Sequence, residues 1–178
     1  MMQRAILIGA FLLAGLLGFW LTLNWVPGFI MSRATERVTA SGASINLATH
    51  VPPVDETSRG VVRPSPDILY SICPFDVSDV PLLFEVPWPE DGSYASLSFY
   101  DANSNNFAVI SDRDVEADFT TVSLVHRFES YVPGEADRNI SSPTQTGIAL
   151  FRRIVGASGP TETTLQERAA FRCGPLAR

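Results

Sequence analysis

"SYASLSFYDANSNNFAVIS", residues 93–111, is the stretch whose reading decides the fold. Ala95, Leu97 and Phe99 alternate with Ser96, Ser98 and Tyr100, the period of a strand with one apolar face. "NFAVIS" resumes an apolar run after a break. The break, "DANSNN", holds one aspartate and three asparagines. Asn and Asp tolerate left-handed backbone and bond to nearby amides, so this segment can turn the chain between two strands. A calcium loop is the competing reading: Asp101, Asn103 and Asn105 match its first, third and fifth positions, and Asp112 its twelfth. Asn106 stands where the sharp turn needs glycine, no helix flanks the segment, and Asp112 is short for bidentate ligation. A third reading makes the loop one wall of a functional pocket.

The neighbouring segments repeat the strand pattern. "DILYSICPF" (67–75), "PLLFEVPW" (81–88), "TTVSLVHRF" (120–128) and "TGIALFRRIV" (146–155) are short runs separated by Pro, Gly, Asp and Asn. That pattern predicts a mainly β domain, an antiparallel sandwich or barrel-like fold. No βαβ rhythm and no internal repeat interrupts it. One helix is expected in "GPTETTLQERAAFRC" (159–173), with Thr163 and Gln166 at capping-box spacing and Leu165, Ala169 and Cys173 as its apolar stripe.

Residues 5–31, "AILIGAFLLAGLLGFWLTLNWVPGFIM", carry no charge. A bilayer needs ~20 apolar helical residues, and Trp20 and Trp25 fall where an interfacial aromatic belt is expected. The run predicts a transmembrane anchor over 5–31, after a cytoplasmic N-terminus at 1–4. The rival is a cleaved signal peptide with a site at Val38-Thr39-Ala40. That site lies far beyond the run, and the run exceeds the ~7–15 residues of a signal core. Residues 32–60, small, polar and then proline-containing, read as a juxtamembrane connector, and 61–178 as the β-rich domain. From residue 33 onward, all 19 acidic residues face 12 of the 13 basic ones, a net charge of −7. An acidic domain does not capture nucleic acid phosphates. There is no lysine, so lysine-based catalysis is excluded.

Cys73 and Cys173, the two cysteines, are a hundred residues apart. Either they form one long-range disulfide in an oxidising compartment, or they are two buried thiols. The helical stripe, which turns Cys173 inward, favours the bond. With a near-balanced arginine count around the anchor, the cysteines point to a domain outside the cytoplasm: a single-pass protein of the bacterial inner membrane with its C-terminal domain in the periplasm.

"VVRPSPDILYS" (61–71) is similar to the V-R-P-N-P-D-T-L-Y-S signature of the bacterial family of domain of unknown function 1254. The resemblance continues through "PLLFEVP", the pattern of Tyr94, Leu97, Asp101, Asn105 and Phe107, "VPGE" and "GIALFRR", over about residues 45–176. Ser65 and Ile68 replace the Asn and Thr of larger members, and the G-P-x-W element before the Pro-Gly turn is missing. The resemblance implies a sandwich-like β domain of the short, membrane-anchored type. Larger members carry a second β domain, of family 1214, on the same chain. For the short type the resemblance implies a separate small anchored partner of that family.

Arg63, Asp67 and Tyr70 put a cation, a carboxylate and a phenol close together, a set suited to a polar ligand or to acid–base work. The plain alternative is a proline-stiffened strand start. Arg152 shares parity with Ile148 and Leu150; on a core face it needs a carboxylate, Asp67 or Asp101. The candidate ligand or cleft set is therefore Arg63, Asp67, Tyr70, Asp101, Asn103, Asn105 and Arg152. No nucleophile motif, phosphate loop or zinc motif occurs, and no cofactor or metal is expected. The leading reading is an anchored extracytoplasmic binding or assembly module. The alternative is a cell-envelope enzyme, for instance a hydrolase, using Asp67, Tyr70 and Asp101 in one cleft.

Overall fold

A computed structural model of the chain describes residues 2–55, 65–127, 136–156 and 159–176. It opens with helix α1, Met2–Ala40, which is long and apolar enough to cross a membrane. At ~1.5 Å per residue its 39 residues extend ~58 Å, against a hydrocarbon core of ~30 Å. The helix runs through Pro27 and on through residues 32–40, where composition suggested a connector. The end of apolarity is not the end of a helix: Ser32–Ala40 holds no Pro or Gly, and Arg33 pairs with Glu36 at 2.7 Å one turn on. The stop comes at Gly42, whose φ of +103° suits glycine. The Gly42 and Ala43 amides donate to the Thr39 and Val38 carbonyls, which closes the helix as a Schellman motif.

The strands that follow are β1 (Thr49–His50), β2 (Ile68–Asp76), β3 (Leu82–Pro87), β4 (Ala95–Asp101), β5 (Asn106–Ser111), β6 (Phe119–His126), β7 (Arg138–Ser142) and β8 (Thr146–Ile154). Helix α2 (Glu162–Ala169) and strand β9 (Arg172–Pro175) come last. Among the described residues they form two sheets, ordered β1-β2-β8-β4-β5 and β7-β6-β3-β9. The described pairs are antiparallel except β6–β7, which is parallel. The expected hairpin is present: Ser96 faces Ser111 and Leu97 faces Ile110, with a bulge at Phe99/Tyr100.

The two sheets pack through Phe75, Leu97, Phe99 and Phe151 on one side and Phe84, Val86, Val122 and Leu124 on the other. Phe84 meets Phe99 edge-on at 5.1 Å, and Phe151 stacks on Phe171 at 4.9 Å. Such contacts add about 0.5–1.5 kcal/mol each beyond area burial. Trp88 satisfies its indole N–H on Thr120 at 2.8 Å. The Cys73–Cys173 disulfide ties the sheets together with Cα atoms 6.4 Å apart.

Two sequence expectations need correction. The inward face of β8 carries Gly147, Ala149, Phe151 and Arg153; Ile148, Leu150 and Arg152 point outward. Arg152 does share its face with Ile148 and Leu150, but that face is the outer one, so Arg152 bonds Ser98 rather than Asp67 or Asp101; both faces of this strand are apolar, and alternation alone does not tell core from surface. Gly147 fits inside for want of room, since a Cβ there would strike the Tyr100 carbonyl and the Phe75 ring. The second correction concerns α2. Thr161 caps it reciprocally with Thr164, and its buried residues are Thr164 and Arg168. Cys173 belongs to β9 opposite Phe84, because pairing with β3 draws the chain out of the helix after Ala170.

Helix α1 is fastened across one end of the first sheet. Ser104 donates its hydroxyl to the Pro27 carbonyl at 3.0 Å, and Gly28 lies against Asn103 and Ala102. Farther along, Met31, Ser32 and Thr35 share a pocket with Phe75, Thr146 and Gly147. After the turn, Asn46 clamps the end of β2: its amide donates to the Asp76 carbonyl at 2.9 Å and its oxygen accepts the Asp76 N–H at 2.7 Å.

Candidate functional site

Asp101 is 4% exposed at the end of β4. One carboxylate oxygen accepts the backbone N–H groups of Asn103 and Asn105, each at 2.8 Å. The other accepts the Asn105 side-chain amide at 3.0 Å. Ser104 adopts the left-handed conformation, φ 65°, as an Asx turn permits. Asp112, the twelfth loop position, stands beyond β5 at the other end of the hairpin, where it accepts the Ala95 N–H at 3.1 Å. The turn reading therefore describes this segment. Asp101→Ala is expected to cost about 1–3 kcal/mol, because two amides lose their charged acceptor. Asp101→Asn, which keeps one carbonyl, should cost less. Urea denaturation of the three proteins in detergent checks this; equal midpoints would refute the clamp.

Asp67 is exposed before β2, level with Val155, whose N–H its carbonyl accepts at 2.9 Å. Asp101 faces Gly147. Eight β8 positions separate those levels, roughly 26 Å at ~3.3 Å per residue. The two carboxylates do not meet. Arg63 lies outside the described residues.

Tyr70 and Arg152 do come together. They face each other across β2 and β8, and Ser96 faces Arg152 from β4. The three form one row on the outer face of the first sheet. Tyr70 accepts the Ser65 N–H at 3.2 Å. Arg152 donates Nη2 to Ser98 at 3.1 Å. Among the described residues, neither its buried Nε nor the buried Ser96 hydroxyl has a hydrogen-bond partner. Ile72, Ile148, Leu150 and Tyr100 flank the row half-buried, and Tyr94, Val109 and Ile154 lie exposed beyond them.

Sequence reasoning missed two polar groupings. The buried arginine is Arg153, 2% exposed. It reaches Glu167 at 2.6 Å and Asp91 at 3.1 Å, and also donates to the Ile154 carbonyl. Asp91 is held at about 2, first by the Ser93 hydroxyl and amide, with Arg153 adding to the effect. The signal was the Arg152-Arg153 doublet itself: on a strand, one of the two must point inward.

The second grouping is a cleft of about 370 Å³ between β1 and β9, lined by Leu47, His50, Glu85, Phe171 and Arg172 among others. His50 Nδ1 lies 2.8 Å from the Ser71 hydroxyl. Burial, then Arg168 and Arg172, lower its pKa below the usual 6.5. The unfolded chain thus binds more protons once the pH falls under that value. The His50 contribution is intact above pH 6.5 and is lost as the pH drops toward the lowered folded value. A pH series of thermal midpoints should show this acid loss, and His50→Gln should remove it.

A model for the family described as "Protein of unknown function (DUF1254)" matches residues 45–175. No curated protein matches the chain. Among solved structures, the VPA0106 protein from Vibrio parahaemolyticus is similar with a TM-score of 0.62 and 15% identity, over 86% of this chain. The chain spans 40% of that protein's length, and the likeness is one of fold. An uncharacterised Burkholderia cenocepacia protein aligns with a TM-score of 0.45 and 17% identity, over 61% of this chain and 32% of its own.

Proposed function

The chain belongs to the DUF1254 family, and on that footing we propose that it acts as a membrane-anchored binding or assembly module. The outer face of the first sheet carries this reading. It presents Tyr94, Tyr100 and Ile154 around the half-buried Arg152. A face of that kind suits an aromatic-rich protein contact with an acceptor at its centre. The expected partner is a second small anchored β protein, of the family-1214 type implied by the resemblance. Two proteins in one membrane meet at raised effective concentration.

In this reading α1 is the anchor in a bacterial inner membrane and the domain lies on its periplasmic side. The disulfide supports that compartment, since such bonds persist in oxidising surroundings. A cell-envelope hydrolase would need Asp67, Tyr70 and Asp101 in one cleft, and these residues are strung along the sheet. Cross-linking in native membranes, followed by purification and mass spectrometry, tests the module. A captured small β protein that is lost on Tyr94→Ser with Tyr100→Ser supports the reading. A stable monomer whose cross-links do not change with those substitutions refutes this surface.

A further inference from the structure

Helix α1 meets the first sheet in strand order. Its residues 27 and 28 touch the loop after β4; residues near 31–36 face the ends of β8 and β2; the turn after it is clamped to β2 beside β1. β5 lies on the far side of β4, so it is displaced back toward the apolar half of the helix. Strands sit ~4.8 Å apart and the helix rises ~1.5 Å per residue, so one strand spacing equals about three helix residues. That puts β5 level with Asn24 and Trp25. Trp25 is 77% exposed, and a tryptophan at the end of an apolar run marks the headgroup level.

β5 and β7 are edge strands of their sheets, and the groove that both line puts them on the same side of the sandwich. That groove, of about 440 Å³, opens between them, lined by Ala108, Val109, Ile110, Asp114, Arg138 and Ile140 among others. Val109 is 50% exposed. Toward the opposite side, the disulfide sutures β2, the neighbour of β1, to β9. β7 is polar apart from Ile140, and β5 leaves Val109 as the exposed apolar side chain of this edge.

We infer that the β5/β7 side of the sandwich rests on the bilayer surface, with Val109 and Ile140 at the boundary between headgroups and acyl chains. This rests on the reading of α1 as a membrane anchor. Asp114 and Arg138 offset each other in the groove, and Arg138 also donates to the Asp114 carbonyl at 3.1 Å. The contact is therefore apolar insertion and does not depend on lipid charge.

The test uses the full chain in phosphatidylcholine vesicles, its native cysteines left oxidised. One environment-sensitive fluorophore is attached at Val109→Cys, Leu47→Cys or Leu17→Cys. Leu47 is exposed on the β1 side, and Leu17 lies within the apolar run. Nitroxide lipids labelled near the headgroup should quench the Val109 probe several-fold more than the Leu47 probe. Mid-chain nitroxides should quench the Leu17 probe. If Leu17 is quenched while Val109 matches Leu47, the inference is overturned and the anchor stands. If Leu17 is not quenched, the anchor reading fails and takes this contact with it. An unchanged near-ultraviolet dichroism spectrum shows that each labelled protein is folded.

Discussion

Replacing Cys73 and Cys173 together by alanine is expected to cost up to ~4.7 kcal/mol, the chain-entropy value for a loop of about a hundred residues. The sequence separation is 100, so the bond constrains most of the domain in the unfolded state. Both cysteines are buried, and Phe84, directly opposite Cys173, belongs to the same core, so lost packing adds to the entropic effect. Chemical denaturation in detergent should show a lower midpoint. It should also show a steeper dependence on denaturant, because the unlinked chain exposes more surface. Two free thiols counted in protein from its native compartment would refute the bond. A loss under ~1 kcal/mol would refute its weight.

Arg153→Ala is expected to cost about 3–5 kcal/mol, the loss on removing one partner of a buried pair. The guanidinium binds Glu167 through Nε and Nη2. Its removal leaves that largely buried carboxylate facing a void. Asp91, with a side chain 55% exposed, should contribute much less. Arg153→Met with Glu167→Leu should recover most of the loss, since an apolar pair of similar volume often replaces a buried ion pair without penalty. The three denaturation midpoints form a direct check. A single substitution that costs under ~1 kcal/mol would show that Arg153 is not a tie between β8 and α2.

The β4–β5 hairpin was legible because each signal agreed: one apolar face, one polar face and an Asx turn between. β8 was legible as a strand but not in its facing. Ile148 and Leu150 are as apolar as the inward Ala149 and Phe151, so alternation alone could not choose. The end of α1 was hidden because Ser32–Ala40 changes polarity without changing conformation. Leu165 and Ala169 suggested a stripe for α2, while Thr164 and Arg168 are the residues it buries; both are held by hydrogen bonds that composition does not announce. For the candidate site, the sequence brought together residues near in sequence or in motif. The sheet register separated Asp67 from Asp101 and joined Tyr70 to Arg152, and register is written in pairing between distant segments.

On the proposed reading of α1 as a membrane anchor, its fastening to the turn at Asp101–Asn105 and, through Asn46 in the turn that follows it, to Asp76 makes it a crank rather than a tether. An α-helix turns ~100° for every residue. One residue inserted at Asn24, before the Pro27 contact, would lift the domain by ~1.5 Å and swing it through more than a quarter of a circle. The side of the helix that meets a neighbour inside the bilayer and the side of the sandwich that meets it outside are therefore locked in phase. Whatever pairs with α1 in the lipid also fixes the compass bearing of Arg152 and its aromatic surround.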